Sequence, residues 1–154
     1  DILDFSCILY ILKSLKVLSR FMIRGELEDE NQLWDMVSKA IELAKRSSRP
    51  DLLYIVNKIK ISLRTLIKLS LWKLLDYFRV LGDLKESDLK KYIKEKIESG
   101  YYFLYPSQLH ALDEGILKPD IRRILICMPT GSGKTFLAEI ILFLAFLKYQ
   151  KENL

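Results

Sequence analysis

One nine-residue stretch limits what this chain can fold into more than any other: Cys127-Met128-Pro129-Thr130-Gly131-Ser132-Gly133-Lys134-Thr135. It follows the apolar run Ile124-Leu125-Ile126 and leads into Phe136-Leu137-Ala138-Glu139-Ile140-Ile141. That order predicts a strand over Ile124–Met128, a glycine-rich turn, and a helix from Gly133 or Lys134 to about Tyr149. Two glycines let the backbone curl so that successive N–H groups point into one concavity. The N-terminus of the next helix adds its partial positive charge there. Lys134 is then placed to reach the β- and γ-phosphates of a nucleoside triphosphate, and the Thr135 hydroxyl to ligate Mg²⁺. The general form of this loop has a glycine where this chain has Met128.

A second segment lies upstream, Tyr105-Pro106-Ser107-Gln108-Leu109-His110-Ala111-Leu112. Pro106 suits the first turn of a helix, and Gln108 to Glu114 fits within it. A glutamine amide offers an acceptor and two donors. Adenine shows a donor at N6 and an acceptor at N7, so one amide can pair with both. His110 falls two residues past Gln108, on a different face, and reads as a surface or packing residue.

Pro129 to Thr135 resembles motif I of superfamily 2 helicases, the DEAD-box and DExH-box group, a branch without the first glycine. Leu137-Ala138-Glu139 resembles the Ski-like and archaeal repair helicases within it. The proline and glutamine ahead of the loop are similar to the segment these helicases carry before motif I. The resemblance covers Leu104 to Ile141. It implies a mostly α chain, with an N-terminal helical region followed by the start of an α/β RecA-like P-loop NTPase lobe. It implies ATP held by Gln108, Met128, Pro129, Thr130, Gly131, Ser132, Gly133, Lys134 and Thr135, with Lys134 and Thr135 in catalytic roles and Thr135 as the Mg²⁺ ligand. On this reading residues 1–100 are a helical accessory region and 101–154 begin the ATP-binding lobe. Nucleic acid, DNA or RNA, is the implied partner of the full-length protein.

The first hundred residues read as helices. The apolar residues Ile2, Phe5, Ile8, Leu9, Leu12 and Leu15 fall at helical spacing, which predicts an inward stripe. Lys13, Lys16, Arg20 and Arg24 fall on another face, and Asp4, Lys13, Lys16 and Arg20 are too many charges for a membrane span. Gly25 closes that helix. Asp29 or Asn31 is placed to cap a second one running to about Arg46, with Leu33, Trp34, Val37, Ile41, Leu43 and Ala44 inward. Ser47-Ser48-Arg49-Pro50 breaks it.

Asp51 to Leu81 reads as one helix, or two with a break near Ser70, burying Leu52, Ile55, Val56, Ile59, Leu63, Leu66 and Leu74. Lys60, Arg64 and Lys68 share one face, either solvated or facing nucleic-acid phosphates. Asp83 and Glu86 are spaced as a capping box for a charged helix, Leu84 to Ser99, closed by Gly100. The run Tyr101 to Tyr105 either closes the seam beside the loop or offers a stacking ring at Phe103 or Tyr105. Lys118-Pro119-Asp120 reads as a turn.

Composition narrows the class. Half of the 154 residues are hydrophobic, which supports a packed core. A net charge of +5 is compatible with a polyanionic partner. The two cysteines, Cys7 and Cys127, read as reduced and structural, Cys127 as a buried thiol ending the strand. That suits a cytoplasmic or nuclear setting. No cluster of metal-ligating residues is visible.

The chain starts at Asp1 without a methionine, which suggests a fragment or processed product. The acidic motif expected on a later strand is absent; Asp29-Glu30 and Asp113-Glu114 both precede the loop. The reading is therefore the ATP-binding N-terminal part of an ATP-dependent helicase or translocase, inactive alone. A non-catalytic helical module carrying an incomplete loop, and another P-loop NTPase such as a kinase or assembly ATPase, stand as alternatives. A protein partner of the helical region is a further possibility.

Overall fold

The computed structural model describes residues 2–25, 27, 30–80, 84–118 and 123–152. Among them the chain is mostly helical: α1 Ile2–Arg24, α2 Glu30–Arg46, α3 Pro50–Leu69, α4 Leu74–Val80, α5 Glu86–Glu98, α6 Pro106–Asp113 and α7 Lys134–Glu152. A 3₁₀ turn, Leu71–Lys73, joins α3 to α4. The chain divides into two compact units, Asp1–Lys68 and Leu69–Leu154.

In the first unit α1 packs along α2. The core there is Cys7, Ile11, Ala40, Ala44, Leu52 and Val56. Small residues let the backbones approach, and the Cys7 thiol donates to the Ala40 carbonyl at 3.2 Å. Burial, then the nearby Asp4 carboxylate, pushes the Cys7 thiol above its ordinary pKa. Arg49 pairs with Asp4 at 3.5 Å and also with Asp51, tying α1 to the start of α3.

The buried face of α1 is not the expected one. Cys7, Ile11, Ser14, Leu18, Phe21 and Met22 face inward. Ile2 and Phe5 are 83% and 69% exposed, and Ile8, Leu9, Leu12 and Leu15 are exposed with them. α1 carries two apolar stripes at helical spacing, and the one with small residues at Cys7 and Ser14 fits closest against the alanines of α2. The α2 face follows expectation at Leu33, Val37 and Ala44, and α3 buries Leu52, Val56 and Leu63 while Ile55 faces out. Asn31 lies inside α2 and does not cap it; Asp29 lies outside the described residues.

The break near Ser70 is present. The Ser70 hydroxyl accepts from the Trp72 N–H at 3.3 Å and caps the 3₁₀ turn. In the second unit, Leu71 N–H donates to Tyr102 carbonyl at 2.9 Å and Leu104 N–H to Leu69 carbonyl at 2.7 Å. This forms a single antiparallel bridge between Ser70 and Phe103. Around it are buried Leu71, Leu74, Phe78, Ile93, Ile97, Leu104, Leu112, Leu137 and Ile140. Fully burying one such side chain stabilises by roughly 1.5–3 kcal/mol. α5 starts after Lys85, which makes no side-chain cap hydrogen bond. Asp83 of the expected capping box, and Pro119 and Asp120 of the expected turn, lie outside the described residues.

The expected strand over Ile124–Met128 does not form among the described residues. Residues 123–129 are irregular, and Leu125 is 90% exposed. A parallel strand exists only through its neighbours' hydrogen bonds, and no described segment supplies one. For the same reason Cys127, expected to be buried, is exposed. α7, apolar nearly all round in sequence, is packed on one side only. It buries Phe136, Leu137, Ile140 and Leu144, while Leu142, Phe146 and Tyr149 are exposed.

Candidate functional site

The loop between Met128 and Thr135 takes its shape from two residues with left-handed backbone, Gly131 (φ 78°) and Gly133 (φ 80°). Each bends the chain where a side chain would be strained. The Ser132 hydroxyl donates to the Pro129 carbonyl at 2.6 Å and its N–H to the same carbonyl at 3.3 Å, closing a tight turn. The Gly133 carbonyl accepts from the Phe136 N–H at 3.1 Å and starts α7. The first N–H groups of α7 have no partner inside the helix. A Cβ added at Gly131 would meet nothing within 4 Å, so that side of the loop is open.

Lys134 lies over the loop. Its ammonium donates to the Met128 carbonyl at 2.6 Å and to the Pro129 carbonyl at 3.4 Å. Lys134, Thr130 and Thr135 are all exposed. Exposure means that a stronger acceptor than two peptide carbonyls, such as a phosphate oxygen, would draw the ammonium away at little desolvation cost.

α6 holds the loop from the side. The Ser107 hydroxyl donates to the Ser132 carbonyl at 3.3 Å, and the Gln108 amide nitrogen donates to the Gly133 carbonyl at 3.0 Å. The Gln108 amide oxygen accepts from the Tyr105 N–H at 2.8 Å and caps the start of α6. Gln108 is 3% exposed. The sequence spacing brought Gln108 to the loop, but the part its amide plays in both helix cap and loop was not visible there.

His110 is exposed on another face, as expected. The aromatic run splits: Leu104 is buried, Tyr101 stacks on Phe136 with centroids 5.8 Å apart, and Phe103 and Tyr105 stay exposed. The acidic pair Asp113-Glu114 closes the far end of α6, where Asp113 accepts from the Tyr77 hydroxyl. No group of three or more His, Cys, Asp or Glu side chains able to hold a metal ion occurs among the described residues. No helix searched is long and apolar enough to cross a membrane.

The chain holds a helicase-related region. It is 42% identical over 66 residues to the ATP-dependent DNA helicase Hel308 of Pyrococcus horikoshii, covering 42% of this chain and 9% of that protein. It is 39% identical over 61 residues to the ATP-dependent DNA helicase Hel308 of Pyrococcus abyssi, covering 39% of this chain and 8% of that protein. The chain thus spans less than a tenth of the length of these curated relatives. No protein-family model matches the chain, and no solved structure matches it.

Proposed function

We propose that this chain carries the ATP-binding loop of a superfamily 2 helicase or translocase of the Ski-like branch. The supporting observation is the loop itself: two left-handed glycines, an overlying lysine and an open side at Gly131, anchored to α6 by Ser107 and Gln108. In this reading Met128 to Thr135 and Gln108 hold ATP. The loop N–H groups and Lys134 face the phosphates, and the Gln108 amide turns its unused N–H and lone pair to adenine.

The residues fit Mg²⁺ as well. It keeps waters and phosphate oxygens, and the exposed Thr135 hydroxyl would be one of its protein ligands, with a carboxylate needed beside it. Bound there, the ion neutralises charge on the phosphates. No loop residue from Met128 to Thr135 carries a carboxylate to orient an attacking water; Asp113 is turned to Tyr77, and Glu114 lines a groove with Met128 and Pro129. The chain on its own therefore binds triphosphate and leaves it intact. The RecA-like lobe, nucleic acid as partner, a protein partner for the helices, and a cytoplasmic or nuclear setting belong to the same proposal. DNA is the nucleic acid favoured, because the matched relatives are DNA helicases by name.

A second reading, a helical interaction module with a loop that no longer binds, is favoured by the outward apolar face of α1. Titration with a fluorescent ATP analogue separates the two. The nucleotide reading expects saturable, Mg²⁺-enhanced binding that Lys134→Ala lowers at least tenfold with its helical circular dichroism unchanged. Equal affinity in Lys134→Ala, or no binding by the unsubstituted chain, rejects it.

A further inference from the structure

The first turns of α7 are fastened by a charge set between aromatic rings. Lys96, in the last turn of α5, pairs with Glu139 of α7. Its ammonium also lies 5.6 Å from the Tyr92 ring centre and 5.9 Å from that of Tyr101. Tyr92 stacks on Phe143 at 4.1 Å, and its hydroxyl donates to Glu139 at 3.4 Å. Tyr101 stacks on Phe136. Phe136, Glu139 and Phe143 lie three and four residues apart, on one face of α7, within its first ten residues.

The turn after α5 aims Tyr101 at this face. The Tyr101 N–H donates to the Lys96 carbonyl at 2.9 Å, and the Gly100 N–H to the Ile97 carbonyl at 2.9 Å. With Gly100 at φ 91°, this is a Schellman cap. Lys96 therefore holds Tyr101 twice, through its backbone carbonyl and through its side-chain charge.

We propose that Lys96 is a positioning residue for the loop at Met128–Thr135, acting through Glu139 on the first turns of α7. Phe136 is the residue whose N–H closes on the Gly133 carbonyl, and it is also the ring that Tyr101 covers. A rotation or slide of α7 that frees Glu139 from Lys96 moves Phe136 and, with it, the start of the helix that caps the loop. A Lys96 that is mostly covered and flanked by two rings pairs more strongly than a solvated lysine. Lys96 touches no nucleotide. Its importance to nucleotide affinity rests on the triphosphate reading above, whereas its hold on the loop does not.

The test combines two readouts on the full chain: amide hydrogen exchange over residues 132–140, and affinity for the fluorescent ATP analogue. Lys96→Met keeps the stem and removes the charge; Glu139→Gln keeps the shape and removes the partner; Lys96→Arg keeps charge and ring contacts. The expected result is several-fold faster exchange over 132–140 and a five- to tenfold weaker affinity in Lys96→Met and in Glu139→Gln. The double variant should be no worse than either single one, and Lys96→Arg should be close to the unsubstituted chain. Unsubstituted exchange rates in Lys96→Met overturn the proposal, as does a double variant in which the two losses add in full. If the unsubstituted chain binds no triphosphate, the nucleotide reading falls and exchange alone judges Lys96.

Discussion

The amide nitrogen of Gln108 donates to the carbonyl of Gly133 at 3.0 Å, joining the first turn of α6 to the last residue before α7. A Cβ built on Gly133 would sit 2.1 Å from that nitrogen and 3.1 Å from a Tyr105 ring carbon.

Gly133→Ala should therefore damage the site in two ways. The residue has φ 80°, where a side chain is strained, and its methyl displaces the Gln108 amide. A loss of about 1–3 kcal/mol of stability is expected, with loss of triphosphate binding. Gly131→Ala shares the strained backbone but meets no neighbour. Melting curves for the two variants should place Gly133→Ala below Gly131→Ala, and the reverse order would contradict the role given to Gln108.

Gln108→Ala should weaken binding of every triphosphate, because the amide supports the loop whatever the base. If Gln108 also reads adenine, ATP should lose more than a triphosphate with another base. Competition titrations with ATP and GTP measure both parts. Equal losses for the two would leave Gln108 a structural role alone.

Alkaline pH should loosen the contact between α4 and α6. Burial, then the hydrogen bond to Asp113, pushes Tyr77 from 10.0 up to about 12. The folded protein thus binds the phenolic proton more tightly than the unfolded chain does. The stabilisation is complete below pH 10 and is lost as pH rises through 12. Melting temperatures at pH 9 and pH 11.5 should fall more steeply for the unsubstituted chain than for Tyr77→Phe.

The α3 face bearing Lys60, Arg64 and Lys68 has no ion pair among the described residues, and Arg64 lies over the Trp34 ring at 5.5 Å. If the face meets nucleic-acid phosphates, affinity for single-stranded DNA should fall with salt. Each substitution to alanine should then reduce the slope of log affinity against log salt by about 1. An unchanged slope in the triple variant would assign these side chains to solvent.

Helix existence was legible from the chain at nearly every element, because proline, glycine and apolar spacing agree. The Ser70 break and the Gly100 cap are local chemistry, readable from a few residues. The packed face of α1 was not legible. Both of its stripes are apolar, and only the small residues at Cys7, Ala40 and Ala44 decide which one packs. At the site, the order of glutamine segment, loop and helix was readable. The strand at Ile124–Met128 was not, since a strand is a relation between segments and a single run of apolar residues carries only one side of it.

The open run at Ile124–Cys127 has a practical consequence. It is short, apolar and free of proline, and it lines a groove of about 470 Å³ beside α6. Peptide groups that lack ladder partners are templates for other chains. Purified alone and concentrated, this polypeptide should self-associate through that run. Leu125→Lys, which puts a like charge on every copy at its most exposed point, should raise its solubility without touching the helices.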